Sequence, residues 1–246
     1  MQKTISPKTP DSACIQDMFN RLAGRYDLFN HLTSAGLASG WRKETLKPLK
    51  PGMRVLDLGC GTGDLALDAA KKLGGSGEVV GLDFSEKMLT FAAKRYARLD
   101  RDGSDNLRFV LRKAEELPIE KEPFDLVVSA FVLRNLYENI DTILEGVYQS
   151  LKEEGKISFL DITEPKKPFL AFLWKSYMNT FAAFYGKILF GKDYPVFYLT
   201  ESAERFLKAP DFVRKLERVG FEKIELKSFL WGVITLYQAV KPGTNH

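Results

Sequence analysis

The chain is poor in the residues that build metal centres and disulfide frameworks. Its 246 residues include two cysteines, Cys14 and Cys60, and two histidines, His31 and His246, with no C-x-x-C pair and no ligand spacing among them. Neither a metal site nor a disulfide-stapled fold is expected. Long apolar runs are missing as well. Nowhere do 18 apolar residues follow one another, and the opening MQKTISPKTPDSAC has no apolar core of signal-peptide length, so the sequence reads as a soluble cytoplasmic protein. Charge of one sign is also scarce: 36 Lys and Arg against 32 Asp and Glu leave a net +4, too slight an excess to mark a nucleic-acid partner. No internal repeat or low-complexity block interrupts the chain.

What remains fits one well-cored α/β domain, since 246 residues at 45% hydrophobic content are enough for one core and short for two. Residues 1–12, rich in Pro, Ser and Lys, are expected to form a disordered arm, and 13–246 a single domain. The basic excess is N-terminal, with eight Lys or Arg against four Asp or Glu in the first 50 residues. That is either an ordinary solvated face or an attraction to anionic lipid headgroups.

The chain is organised around RVLDLGCGTGD, Arg54 to Asp64. Val55 to Leu58 reads as a buried strand and Leu65 to Leu73 as a helix. Gly59, Gly61 and Gly63 lie between them, where a ligand must approach bare backbone. A dinucleotide loop has the spacing G-x-G-x-x-G, whereas here it is G-x-G-x-G. Asp57 and Asp64 flank it, repelling a diphosphate and favouring a cationic ligand. The sulfonium and ammonium of S-adenosylmethionine fit that charge. Twenty residues beyond Gly63, the strand Val79 to Leu82 ends in Asp83, whose carboxylate can accept both ribose hydroxyls.

The rest alternates helix and strand. Apolar positions Ile15, Met18, Phe19, Leu22 and Tyr26 predict one amphipathic helix from Cys14, and a second helix begins near Ser39 and ends before Pro51. Ser85 is an N-cap candidate. Leu107 to Leu111, Phe124 to Val128 and Ile157 to Leu160 read as strands, Asp211 to Val219 as a helix, and Ile224 to Phe229 with Val233 to Val240 as an antiparallel hairpin. Ser129 to Asn135 then lies at the carboxyl edge of an open sheet, where ligands sit. Arg134-Asn135 suits an oxyanion there, unless Arg134 merely pairs with a nearby acid. From Phe169 to Tyr198 the chain concentrates 11 of its 30 aromatics on predicted helices, either plain packing or a lid over an apolar acceptor.

The segment VLDLGCGTGD followed by GLDFSEKML resembles the class I S-adenosylmethionine-dependent methyltransferases. Tyr26-Asp27-Leu28-Phe29-Asn30, with Ser34 and Trp41, resembles the signature Y-D-x-M-N, S, H-x-x-W of the quinone-biosynthesis C-methyltransferases, the UbiE/Coq5/MenG family. Phe131-Val132-Leu133-Arg134-Asn135 resembles that family's F-G-[LI]-R-N, and the likeness runs from about Phe19 to Lys241. The sequence departs from the family at Phe29 (Met), Ala38 (His), Lys113 (Asp or Asn) and Asp161-Ile162-Thr163 (Glu-x-Ser).

The resemblance implies a three-layer, Rossmann-like class I methyltransferase fold: a mostly parallel seven-stranded sheet, an antiparallel C-terminal hairpin, a helical cap over 13–50 and a lid insertion over 165–205. It implies S-adenosylmethionine as cofactor, held by Asp57, Gly59, Gly61, Thr62, Gly63, Asp83, Phe84 and Ala114. The acceptor would be a lipophilic quinol precursor of menaquinone or ubiquinone, methylated on a ring carbon. Arg134 would stabilise the phenolate, Asn135 and Tyr26 would orient the ring, and His31 or a bound water would take the proton. Another small lipophilic acceptor, or a nucleotide-binding module without catalysis, stays open, as do peripheral membrane contact and a homodimer.

Overall fold

The computed structural model describes residues 16–17, 20–99, 105–118, 121–165, 167–191 and 208–243, without the side chains of Tyr26 and Ala182. The arm expected over 1–12, the apolar positions Ile15, Met18 and Phe19, and 192–205 of the expected lid lie outside the described residues.

Seven strands form one sheet: β1 (Arg54–Leu58), β2 (Glu78–Asp83), β3 (Leu107–Leu111), β4 (Phe124–Ala130), β5 (Leu151–Ile162), β6 (Glu222–Phe229) and β7 (Ile234–Val240). Their order is β3-β2-β1-β4-β5-β7-β6. Pairings from β3 through β5 are parallel, and β7 runs antiparallel to both β5 and β6. The strand order reverses between β1 and β4, and the crevice at their carboxyl ends is where an open α/β sheet takes its ligand.

Parallel strands covered on both faces need apolar side chains on both. On β1, Leu56 and Leu58 enter the core beneath α5 (Ile140–Ser150) and α8 (Ala209–Val219), while Val55 enters the core beneath α3 (Asp64–Leu73) and α4 (Glu86–Leu99). The side of Leu56 is sealed by Phe212 and Tyr237, both fully buried and edge-to-face at 4.8 Å. Ser85 caps α4 as its sequence position implies, its Oγ accepting from Met88 N at 3.2 Å.

Two expectations are corrected. The helix predicted to run from Cys14 through Tyr26 is interrupted by a 3-10 turn at Ala23–Arg25, so α1 begins at Tyr26 and runs to Thr33. Gly24 in that turn is a weak helix former, and the Phe91 ring lies 3.5 Å from where its Cβ would be. The fifth strand is longer than Ile157 to Leu160 because residues 152–155 loop out: Leu151 pairs with Phe124, and Lys156 with Leu126.

Two helical layers sit above the carboxyl edge. One is α1 with α2 (Ala38–Thr45). The other is α6 (Pro168–Tyr177), continuing through a π-helical turn (Met178–Ala182) into α7 (Ala183–Phe190). Phe29 of α1 is buried edge-to-face against Phe190 at 5.7 Å, and Tyr177 donates its hydroxyl proton to Thr33 O at 3.1 Å. The departure at Phe29 is thus a packing contact between the two layers.

Phe212→Ala, which empties a fully buried site in the larger core, is expected to cost about 3–5 kcal/mol in urea unfolding. A loss under about 1 kcal/mol would mean that α8 contributes little to the sheet's stability.

Candidate active site

The glycine loop is shaped by close contacts. Gly59 adopts φ +71°, and a Cβ there would lie 2.5 Å from Val132 Cγ1 in the turn after β4, so only glycine lets the two loops meet. Gly59 N and Cys60 N donate to Leu82 O at 2.8 and 2.9 Å, joining the loop to β2. Gly61, at φ +54°, has nothing within 4 Å of its Cβ position, leaving bare backbone facing the cleft. Gly63, also left-handed, opens α3.

Two carboxylates line the same cleft. Asp57 is 1% exposed, and its Oδ2 has no hydrogen-bond partner. Burial, reinforced by the neighbouring charge of Asp83, pushes its carboxyl up to about 8, while Ala66 N–H draws it down. Asp83 accepts from Gly61 N and Ser85 N, both at 2.8 Å, and burial raises its pKa against those bonds. Phe84 and Ala114 complete the wall at this end. Lys113 lines it too, where the family has an amide or carboxylate. An orphaned buried carboxylate oxygen suits an ammonium, the acid ending β2 suits ribose hydroxyls, and the open backbone at Gly61 admits the ligand. S-adenosylmethionine fits this donor and acceptor set.

Thr62 is placed less directly than its motif position implied. It lines the cleft, but its hydroxyl donates to Asp27 Oδ1 of α1. Arg95 of α4 then joins the pieces: its Nη1 reaches Asp27 Oδ2 and Thr62 O, each at 2.9 Å, and its Nη2 reaches Asp64 Oδ1 at 2.6 Å. Arg42 of α2 meets Asp64 Oδ2 at 3.0 Å. Both cap helices are therefore tied to the first turn of α3, whose exposed N–H groups favour an acid at Asp64. Burial raises the Asp27 pKa, and the Thr62 bond opposes it. Sequence reasoning missed Arg95 and Arg42; an acid on the cap facing another beside the glycine loop was the signal that a cation had to sit between them.

A second cavity of about 420 Å³ lies beneath α6, within the range that takes small-molecule ligands. Its walls are apolar, with Trp41, Trp174, Tyr177 and Trp231 among them. Ala38 also lines it, so this departure from the family alters the cavity, as Phe29 does not. The two cavities share Asn30 and Phe131. Phe131 stands at φ +64°, a conformation that a bulky side chain adopts only under constraint. Its N–H donates to Leu160 O at 2.8 Å, and its ring meets Trp41 edge-on at 6.5 Å.

The catalytic expectations divide. Arg134 reaches the wall of the second cavity, with its side chain only 2% exposed. Its Nη1 donates to Asp161 Oδ1 at 2.8 Å and Phe131 O at 2.7 Å, and its backbone N–H to Asp161 Oδ2 at 3.0 Å. The pairing with a nearby acid that the sequence left open is therefore present, and Asp161 is that acid. Asn135 lines the cofactor cleft, whereas Asn30 lines both cavities. His31 lines neither, facing a side pocket with Ser39 and Arg42. The side chain of Tyr26 lies outside the described residues. No group of three or more metal-ligating side chains occurs among the described residues.

This sheet order, with a ligand cleft after β1 and an antiparallel last strand, defines the class I methyltransferase fold. A SAM-dependent methyltransferase from Aquifex aeolicus superposes with TM-score 0.62 over 92% of this chain and 98% of its own, at 19% identity. The [4+2]-cyclase SpnF superposes with TM-score 0.69 over 96% and 98%, at 16% identity, so the fold alone does not fix the reaction. Sequence does. The profile of the ubiE/COQ5 methyltransferase family matches residues 7–241. The demethylmenaquinone methyltransferase of Lactobacillus johnsonii is 33% identical over 98% of both chains. The ubiquinone/menaquinone biosynthesis C-methyltransferase UbiE of Ectopseudomonas mendocina is 32% identical over 96% of this chain and 92% of its own. The chain belongs to the ubiE/COQ5 methyltransferase family and is an S-adenosylmethionine-dependent methyltransferase.

A cation bound beside Asp57 favours its ionised form, so binding must expel the proton that the free protein holds below about pH 8. Calorimetry at pH 7 in buffers of different ionisation heat is expected to show proton release on cofactor binding. Relative to Asp57→Asn, wild-type affinity is expected to rise with pH, by at most about tenfold per unit, and to level off above pH 8. Identical profiles for the two proteins would remove Asp57 from the site.

Proposed function

We propose that the protein transfers the methyl group of S-adenosylmethionine to a ring carbon of a lipid-tailed quinol in menaquinone or ubiquinone biosynthesis. The observation that carries this reading is the junction at Asn30 and Phe131, where an apolar, aromatic-walled cavity adjoins the cofactor cleft. The activities for which the relatives from L. johnsonii and E. mendocina are named support it.

The cofactor supplies an electrophilic methyl group on a sulfonium. The aromatic walls hold the acceptor ring by its faces, and the cavity fixes which carbon is presented at the junction. Asn30, reaching both cavities, orients a ring hydroxyl. Arg134 offers its charge to the oxygen whose proton is lost, and Asp161 sets the guanidinium's position. As the carbon–methyl bond forms and the sulfur–methyl bond breaks, the ring carbon gives up its proton. A bound water takes that proton at the junction of the two cavities.

Labelled methyl transfer to demethylmenaquinol, a demethylated ubiquinol precursor and an unrelated phenol tests the reading. Label is expected on one quinol ring carbon, and which quinol is labelled decides naphthalene against benzene. Cofactor binding with no quinol labelled would overturn it.

Arg134 is tested separately, because Arg134→Ala would strand Asp161 and cost about 3–5 kcal/mol. The pair Arg134→Met with Asp161→Asn keeps an acceptor for the Arg134 N–H. It is expected to fold, bind cofactor normally and lose about a hundredfold in kcat. Unchanged kcat would leave Arg134 a purely structural role.

A further inference from the structure

The helix running from α6 through the π turn into α7 is apolar on both sides. Ala171, Trp174 and Met178 are buried toward the sheet and the acceptor cavity. The opposite face exposes Phe169 (69%), Phe172 (66%), Phe184 (59%) and Ile188 (61%), with Phe181 beside them. A helix apolar all round is ordinarily buried on all sides, yet this face is open. Across the mouth of the acceptor cavity, Trp231 stands at the tip of the β6–β7 hairpin, 79% exposed and held out by left-handed backbone at Leu230 and Trp231.

The charges on this face have one sign. Residues 165–191 contain four lysines, 166, 167, 175 and 187, and no Asp or Glu; the tip from Ser228 to Ile234 has no charge at all. Lys175 meets Glu164 at 3.2 Å, while Lys167 and Lys187 are exposed. Among the described residues, no helix is long and apolar enough to cross a membrane. Exposed aromatic rings with lysines and no acids match the boundary between headgroups and acyl chains, where Trp and Phe insert and lysines meet anionic lipid.

We propose that this face, the outer side of α6 and α7 together with the Trp231 tip, docks on an anionic lipid bilayer and opens the acceptor cavity toward it. Leu173, Tyr177 and Trp231 are exposed and also line that cavity, so the docking surface and the acceptor entrance are continuous. A quinol would pass from bilayer to cavity without its tail crossing water. The inference rests on the proposed quinol acceptor for its purpose, but on the exposed face for its existence.

The test is co-sedimentation of the full chain with vesicles of phosphatidylcholine alone and of equal phosphatidylcholine and phosphatidylglycerol. Binding is expected to the anionic vesicles and to weaken at high salt. Phe172→Glu with Phe184→Glu, both outside the cavity lining, is expected to reduce binding at least tenfold, and Lys167→Glu with Lys187→Glu to abolish the preference for anionic lipid. The phenylalanine variant is also expected to methylate a short-tailed, water-soluble quinol at the wild-type rate and to lose activity on the vesicle-borne quinol. Vesicle binding unaffected by these substitutions would overturn the proposal. So would light scattering showing a wild-type dimer that they convert to monomer, since the face would then be covered by a second copy. Docking without any quinol methylation would overturn the acceptor and leave the surface standing.

Discussion

Asp57 is a carboxyl group buried near the carboxyl end of β1 with no ion-pair partner among the described residues, and much of the surrounding architecture makes that arrangement tolerable. An ionised carboxylate in such a place is costly, and the protein meets the cost by holding its proton until a cation arrives. Asp83, at the equivalent end of β2, is held by backbone N–H groups and not by a counter-ion. The nearest strong cations, Arg42 and Arg95, bind Asp64 and Asp27 on the rim. The cleft therefore gathers two carboxyl groups inside a border of ion pairs, an arrangement that favours a ligand carrying positive charge over a diphosphate.

Much of this was legible in the sequence. The strand ends and glycine spacing of RVLDLGCGTGD need few residues to specify them, because a turn that brings β1 against the Val132 loop tolerates nothing larger than glycine at Gly59. The two carboxylates could be assigned for the same reason: each ends a run of buried strand. Arg134 was harder to read. Its position at the sheet edge was evident, but its partner Asp161 is 27 residues away on the next strand, and only the register of β4 on β5 brings them together. Asn30 and His31 are sequence neighbours on one helix, and which of them lines the second cavity depends on helix rotation, to which Phe29 packing against Phe190 contributes. A contact between segments so distant in sequence leaves no periodic trace.

The two helical layers above the sheet are consequently one assembly. Phe29, Tyr177 and Thr33 join α1 to α6 and α7, while Asp27 and Arg42 join the cap to the glycine loop. Movement of one layer transmits strain to the other through packed side chains. Phe131, strained between the two cavities and braced on Trp41 of α2, lies where such strain would converge.

The shared wall at Asn30 and Phe131 has one further consequence, for traffic. The cofactor cleft is bordered by Asp27, Arg112 and Lys113, groups that belong in water, whereas the acceptor cavity is bordered by Tyr177 and Trp231. The two cavities have rims of opposite polarity and adjoin at Asn30 and Phe131. A polar cofactor and an apolar acceptor would thus reach the same junction from sides of opposite polarity.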